Sequence, residues 1–122
     1  KAVNSVDGKK TDPIYGYEVD TLEADHIMPL KEITEQSGLD QLSFEDQKAI
    51  ANLEENFMGL GKQTNASKGA KSISAWSGHS KLGAISEEAQ QFLNQKDEAA
   101  RAAIAKAISE RLERNEYLYQ RD

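Results

Sequence analysis

The sequence predicts a small α+β domain, with short strands in its first half and helices in its second. Apolar and polar residues alternate in parts of residues 14–30, and the apolar run 57–61 ends in glycine, as expected for a buried strand. In the last third of the chain, apolar residues recur at helical spacing. Because 122 residues suffice for one core, we interpret residues 1–122 as a single domain.

Composition excludes several classes of function. The chain has no cysteine, which excludes a disulfide scaffold, thiol catalysis and cysteine-ligated metal centres. Its two histidines argue against a structural zinc site built from side chains. No apolar run approaches the roughly 18 residues of a membrane span, so we expect no membrane segment. The first residue is Lys1 rather than Met, and we therefore expect the chain to be part of a longer protein.

The N-terminal half predicts an arm and two strands. Residues 1–13 are polar and rich in turn signals, which predicts an irregular arm. Residues 14–30 predict two short strands with a turn near residues 19–21, and Pro29 ends the second strand.

Helices are predicted on both sides of the apolar run 57–61. Ser43 resembles an N-cap, because an acid follows three residues later, and it predicts a helix over about 43–52 that buries Phe44 and Ile50. A small helix capped by Thr64 or Asn65 would reach about residue 72.

The C-terminal part, residues 86–120, is predicted to be helical. Residues 77–83 are expected to form a loop, and Ser86 caps the helix that follows. A second long helix is predicted over about 97–117.

Charge is distributed unevenly along the chain. The formal net charge is −6, which argues against binding of nucleic acid through bulk electrostatics. Residues 56–86, however, contain no acidic residue and four lysines, whereas the rest of the chain holds all 21 acids. Such segregation predicts either a local anion-facing surface or a solvated lysine-rich loop. The lysines are Lys62, Lys68, Lys71 and Lys81.

Two clusters of polar residues carry the candidate chemistry. Asp25 and His26 are adjacent at the end of a predicted strand, where a histidine can act as a general base and a carboxylate can bind a divalent cation. Asn56 and Asn65 follow thirty residues later, and an asparagine can hold a loop or coordinate a metal. Lys68 shares a helix face with Asn65 and is placed to take a phosphate.

These residues resemble the HNH nuclease family, whose fold is the ββα-metal motif. The family shows Asp-His-Ile-x-Pro, then Asn-Leu, then Leu-Cys-x-x-Cys-Asn-x-x-Lys-Gly. Here the first part reads Asp-His-Ile-Met-Pro over residues 25–29, and residues 56–69 keep the register of the second part. Gly61 and Thr64 replace the zinc-binding cysteine pair. The chain therefore resembles members without a zinc knuckle that end the motif in Asn, as in the HNH domain of RNA-guided CRISPR nucleases.

The resemblance implies a ββα-metal core over residues 14–72, with the helix over about 43–52 as an insertion. It implies that His26 is the general base and that Asn56 holds the loop carrying it. Asp25 and Asn65 would bind one divalent cation, for which Mg²⁺ or Mn²⁺ is favoured and Zn²⁺ or Ni²⁺ is also compatible. The substrate phosphates would be contacted by Lys68, with Lys62 and Lys71 as further binding residues.

The function that follows is a metal-dependent endonuclease, with DNA as the favoured substrate and little sequence specificity, since no sequence-reading module is present. The resemblance is also compatible with the C-terminal toxin domain of a secreted bacterial effector, whose partner would be an immunity protein. RNA or structured DNA as substrate, and a binding module with a decayed site, remain alternatives.

Three further residues have two readings each. Glu23 is either a surface carboxylate or an extra metal ligand. His79 is either a loop histidine or a phosphate contact, and Trp76 is either a core residue or a base-stacking platform. For each, the first reading is favoured.

Overall fold

A computed structural model describes residues 9–120. The α+β class is confirmed: small antiparallel strand pairs alternate with short helices, and a long helix follows at the C-terminal side. Residues 1–8 of the expected irregular arm lie outside the described residues. Within the described part of the chain, no helix is both long enough and apolar enough to cross a bilayer.

The first strand pair lies further towards the N-terminus than predicted. Strand β1 (Lys10–Thr11) pairs with β2 (Glu18–Val19), so residues assigned to an irregular arm form a strand. The two strands expected within residues 14–30 do not pair with each other. The reason is the fully buried Asp12, whose Oδ2 accepts hydrogen bonds from the backbone N–H groups of Ile14 and Tyr15 and fixes a turn between β1 and β2.

The second strand pair brings distant segments together. Strand β3 (Glu23–His26) pairs antiparallel with β4 (Phe57–Leu60), which places His26 opposite Phe57. The strand predicted from the apolar run is thus confirmed. Helix α3 (Lys62–Lys68) follows β4 directly and begins earlier than predicted. It ends before Gly69, whose positive φ of 54° stops the helix.

Between β3 and β4 the chain forms α1 (Leu30–Thr34), a 3-10 turn and α2 (Phe44–Ala51). The N-cap at Ser43 is confirmed, because its hydroxyl accepts a hydrogen bond from the backbone of Asp46 at 3.1 Å. Ile50 is fully buried as predicted, but the predicted burial of Phe44 is wrong, since 78% of this residue is exposed. The two residues lie six positions apart on the helix, so their side chains point in directions about 120° apart around its axis.

The C-terminal part contains one helix where two were predicted. Residues Gly78–His79 (β5) and Gly83–Ala84 (β6) form a small hairpin in the expected loop, and α4 (Glu87–Gln120) then runs without a break. The capping role of Ser86 is confirmed by its hydrogen bond from the backbone of Ala89 at 3.1 Å. The polar residues 94–97, which resemble a helix boundary, are simply the solvent-facing turn of a continuous helix.

Helix α4 contributes to two hydrophobic clusters. The first cluster packs its N-terminal half against the β3–β4 pair and includes Trp76, which is 4% exposed, in agreement with its reading as a core residue. The second cluster packs the following turns of α4 against α1 and α2. Its buried members are Met28, Ile33, Leu39, Leu42, Ile50, Ile104, Ala107 and Ile108. The β3–β4 pair therefore rests on the helix that also supports the segment between the strands.

Candidate active site at the end of strand β3

The candidate residues gather where β3 meets α3. Side chains alternate along a strand, so Glu23 and Asp25 project from the same side of β3. Asn65 and Lys68 are three residues apart on α3 and share one face of that helix. The face of β3 with Glu23 and Asp25 can therefore contact the face of α3 with Asn65 and Lys68.

Two polar contacts join these faces. The side-chain amide Nδ2 of Asn65 donates a hydrogen bond to Oε1 of Glu23 at 2.7 Å. The ammonium group of Lys68 lies 2.8 Å from Oδ2 of Asp25. These contacts tie Asn65 to Glu23 and Lys68 to Asp25, so the three predicted residues lie on two facing elements, with Glu23 as the hydrogen-bond partner of the Asn65 amide.

Lys68 lies beneath the site rather than on its surface. Its side chain is 0% exposed, and Nζ also donates a hydrogen bond to the backbone carbonyl of His26 at 3.0 Å. The expected contact between this lysine and a substrate phosphate finds no support in this geometry. Lys68 instead neutralises Asp25 and fixes the backbone at the end of β3.

Burial dominates the electrostatics of Asp25. The residue is 6% exposed, and its desolvation raises the pKa of the carboxyl group above the ordinary value of 3.8. The hydrogen bond and the positive charge of Lys68 lower the pKa, but they offset only part of this effect. Since Lys68 engages Oδ2, the other carboxylate oxygen is the one left for a ligand.

Asn56 holds the chain directly after His26. It is fully buried, its Oδ1 accepts a hydrogen bond from the backbone N–H of Met28 at 2.7 Å, and its Nδ2 donates one to the Met28 carbonyl at 3.1 Å. Its own carbonyl accepts a hydrogen bond from the N–H of Ile27 at 2.8 Å. Three hydrogen bonds thus fix the two residues that follow His26, which is the task that the resemblance implies for this asparagine.

His26 is half-buried and packs against Phe57, with 4.4 Å between the ring centres. Its Nε2 atom is enclosed and has no hydrogen-bond partner among residues 9–120. Asp25 and His26 both line an open cleft of about 290 Å³. The cleft lies between the end of β3, the start of α1 and the residues just after α3, and Lys31 and Gly69 form part of its wall.

The remaining predicted binding lysines lie outside this cleft. Lys62 and Lys71 are exposed, and Nζ of Lys71 contacts the carbonyl of Ser67 at 3.4 Å. The exposed cation of the cleft is Lys31, which sequence reasoning missed. Its place two residues after Pro29 puts it next to the Asp25–His26 motif, but it lies outside the acid-free segment 56–86 that holds the predicted lysines.

The other ambiguous residues have structural contacts. The Nδ1 atom of His79 accepts hydrogen bonds from the backbone N–H groups of Lys81 and Leu82, which closes the turn between β5 and β6. The indole N–H of Trp76 donates to the hydroxyl of Ser67 at 3.0 Å. Both contacts agree with the favoured readings, a loop histidine and a core tryptophan.

Sequence reasoning also missed the residues that fix the start of α3. Oδ1 of Asp12 accepts a hydrogen bond from the N–H of Gly61 at 2.8 Å. The hydroxyl of Tyr17 accepts one from the N–H of Thr64 at 3.0 Å and lies 2.9 Å from its Oγ1. The β1–β2 hairpin therefore satisfies backbone donors of the first turn of the helix that carries Asn65.

The oxygen atoms of the site fit a hard divalent cation better than a zinc centre. Among residues 9–120, no three histidine, aspartate or glutamate side chains converge as a metal cluster. Lys68 engages Oδ2 of Asp25 and Glu23 engages Nδ2 of Asn65, so Oδ1 of each residue is the oxygen outside these two contacts. Mg²⁺ accepts coordination by a few protein oxygens together with several water molecules. The donor set therefore fits such an ion.

Comparison with protein-family models, with curated proteins and with solved structures finds no match to this chain.

Proposed function

We propose that this domain is a metal-dependent endonuclease of the HNH type, with the β3–β4–α3 unit as its ββα core. The observation that carries the proposal is the end of β3, where Asp25 and His26 line one cleft while Asn56 holds the chain immediately behind them. The favoured substrate is DNA, cut with little sequence preference.

His26 is the general base of the proposed reaction. Because Nε2 is enclosed, Nδ1 is the nitrogen that we assign to take the proton from the attacking water. The oxygen of that water forms the new bond to phosphorus while the bond to the 3′ oxygen breaks, and the departing oxygen takes a proton from a solvent water, which leaves a 5′-phosphate and a 3′-hydroxyl. Phe57 on the opposite strand supports the imidazole ring, and Asn56 keeps the following backbone in place.

Asp25 and Asn65 would hold the divalent cation. When bound, the ion would stabilise the negative charge that develops on the phosphoryl oxygens and on the leaving oxygen. Glu23 keeps the amide of Asn65 oriented with its oxygen open, and Lys68 limits the charge on the buried Asp25. Lys31, on the wall of the cleft, replaces Lys68 as the lysine proposed to contact the phosphate.

A plasmid assay tests the proposal. Supercoiled DNA is incubated with the wild type and with His26→Ala in Mg²⁺, Mn²⁺, Ni²⁺ or Zn²⁺, and again with EDTA. We expect nicking or linearisation that needs a metal ion and is lost in His26→Ala. Loss of one general base costs about 10²–10⁴-fold in rate, which such an assay resolves.

The matched control is His79→Ala, because His79 is the other histidine of the chain and closes a hairpin turn outside the cleft. This variant should cut like the wild type, and thermal unfolding should show that both variants fold. Equal cutting by His26→Ala and the wild type would overturn the assignment of the base. Intact plasmid under every condition would exclude DNA, and failure on RNA as well would favour a binding module.

A further inference from the structure

A second depression is lined by Phe57, the residue whose ring packs against His26. Its volume is about 460 Å³, within the range of small-molecule sites, and it is more enclosed than the cleft at Asp25. The walls come from the β1–β2 region, from β4 and from α4, and most of the lining is apolar. The lining residues are Thr11, Pro13, Leu22, Glu54, Phe57, Met58, Gly59, Phe92 and Lys96.

Two aromatic rings and one cation distinguish this groove from an ordinary packing gap. Phe57 and Phe92 are both partly exposed and line it from β4 and α4. The ammonium group of Lys96 lies 5.5 Å from the centre of the Phe92 ring, and Lys96 is exposed. Aromatic faces beside a lysine are the features that bind single-stranded nucleic acid, because bases stack on the rings and the cation attracts the backbone.

Position links the groove to the candidate active site. His26 lines the cleft, Phe57 lines the groove, and their rings are in contact, so the two depressions are neighbours. A strand with its scissile phosphate at His26 therefore has a neighbouring nucleoside close to the groove.

We propose that this groove binds an unpaired nucleobase that neighbours the scissile phosphate, with Lys96 moving from its place over the Phe92 ring to the adjoining phosphate so that the base stacks on Phe57 and Phe92. This inference rests on the proposed nuclease function and deepens it. It makes a single strand, or a locally opened duplex, the form of nucleic acid that the domain engages.

Equilibrium binding in EDTA tests the groove without cleavage. A fluorescein-labelled twelve-residue oligothymidylate is compared by anisotropy with a strand of the same length that carries abasic sites, and with a duplex. We expect the wild type to bind the base-bearing single strand about tenfold more tightly than either of the others, as stacking of one base allows. Phe92→Leu should remove most of this preference, and Lys96→Gln should weaken binding of both single strands.

Matched controls come from the same residue types at remote positions. Phe44→Leu removes an exposed phenylalanine on α2, and Lys106→Gln removes an exposed lysine on α4, and neither residue lines the groove. Both should bind like the wild type. Thermal unfolding establishes that each variant is folded, and Lys96→Gln, an exposed change, keeps the test valid if Phe92→Leu does not fold.

The outcomes separate this inference from the proposed function. Equal binding of base-bearing and abasic strands, or no oligonucleotide binding at all, overturns the proposal that the groove binds a base. This holds even if plasmid cutting depends on His26 and a metal ion. A preference for bases that disappears in Phe92→Leu supports the groove even if no plasmid is cut, in which case the nuclease proposal alone fails.

Discussion

Lys68 and Asp25 form a buried ion pair, with 2.8 Å between Nζ and Oδ2 and with side chains that are 0% and 6% exposed. Each charge depends on the other, because neither reaches water freely. The pair joins α3 to β3 directly beneath the candidate active site, so its main consequence concerns the stability of that junction.

Lys68→Met should destabilise the fold strongly. The change leaves the Asp25 carboxylate buried without its cation, and breaking a buried pair from one side costs about 3–5 kcal/mol. The free energy of unfolding from urea titration measures this loss. Lys71→Met, at an exposed lysine nearby, is the control and should stay within about 0.5 kcal/mol of the wild type. A Lys68→Met protein of normal stability with weakened substrate binding would restore the phosphate-contact role.

Asn56→Ala should loosen the segment behind His26. The truncation leaves the N–H and the carbonyl of Met28 without partners in a buried place, at roughly 1–3 kcal/mol for each group. Urea unfolding should show the loss, and amide hydrogen exchange at Ile27 and Met28 should quicken. Asn94→Ala, at an exposed position of α4, serves as the control. Unchanged exchange at Met28 would contradict the anchoring role.

Gly61→Ala should be destabilising because of Tyr17. A Cβ atom at position 61 would lie 2.6 Å from Cζ of the Tyr17 ring, too close for any side chain, and that ring is tied to Thr64. We expect a cost of about 1–3 kcal/mol, as for overpacking of a core. A double-mutant cycle with Tyr17→Ala measures the coupling, since the clash disappears in that background. Additive effects of the two changes would show that the close approach is absent.

Asp46 should make stability depend on pH in the acidic range. Arg114, and secondarily Arg111, hold the pKa of its carboxyl group below the ordinary value of 3.8, which links α2 to α4. A depressed folded-state pKa gives stability that is fully present above the unfolded value and is lost as the pH falls through the folded value. The stability difference between the wild type and Asp46→Asn should therefore be constant at neutral pH and shrink below about pH 3.8. A difference that stays constant down to the acid end would contradict the ion pair.

Local features of the fold were predictable from the sequence, whereas the partners of each element were not. The caps at Ser43 and Ser86 and the strand at 57–60 depend on neighbours in sequence, and the structure confirms them. Strand pairing depends on residues far apart. The buried Asp12 redirects the first hairpin, and nothing in the residues around it indicates that it also binds the backbone of Gly61.

The contacts of the candidate site residues were only partly predictable from the sequence. Spacing predicted that Asp25 ends a strand and that Asn65 and Lys68 share a helix face, because both features follow from local sequence. Burial of a lysine does not follow from charge patterns, so the same residue looked like a phosphate contact. The cleft lysine, Lys31, lies in a short helix whose position depends on the whole segment between β3 and β4.

Because α4 is continuous, it couples the stability of the two hydrophobic clusters. Helix α4 belongs both to the hydrophobic cluster under the β3–β4 pair and to the cluster under α1 and α2. Local unfolding of either cluster is therefore opposed by the packing of α4 in the other. Truncation of the buried Ile108 should therefore increase local unfolding near Asp25. The order of the candidate site at β3 therefore depends in part on packing at the far end of α4.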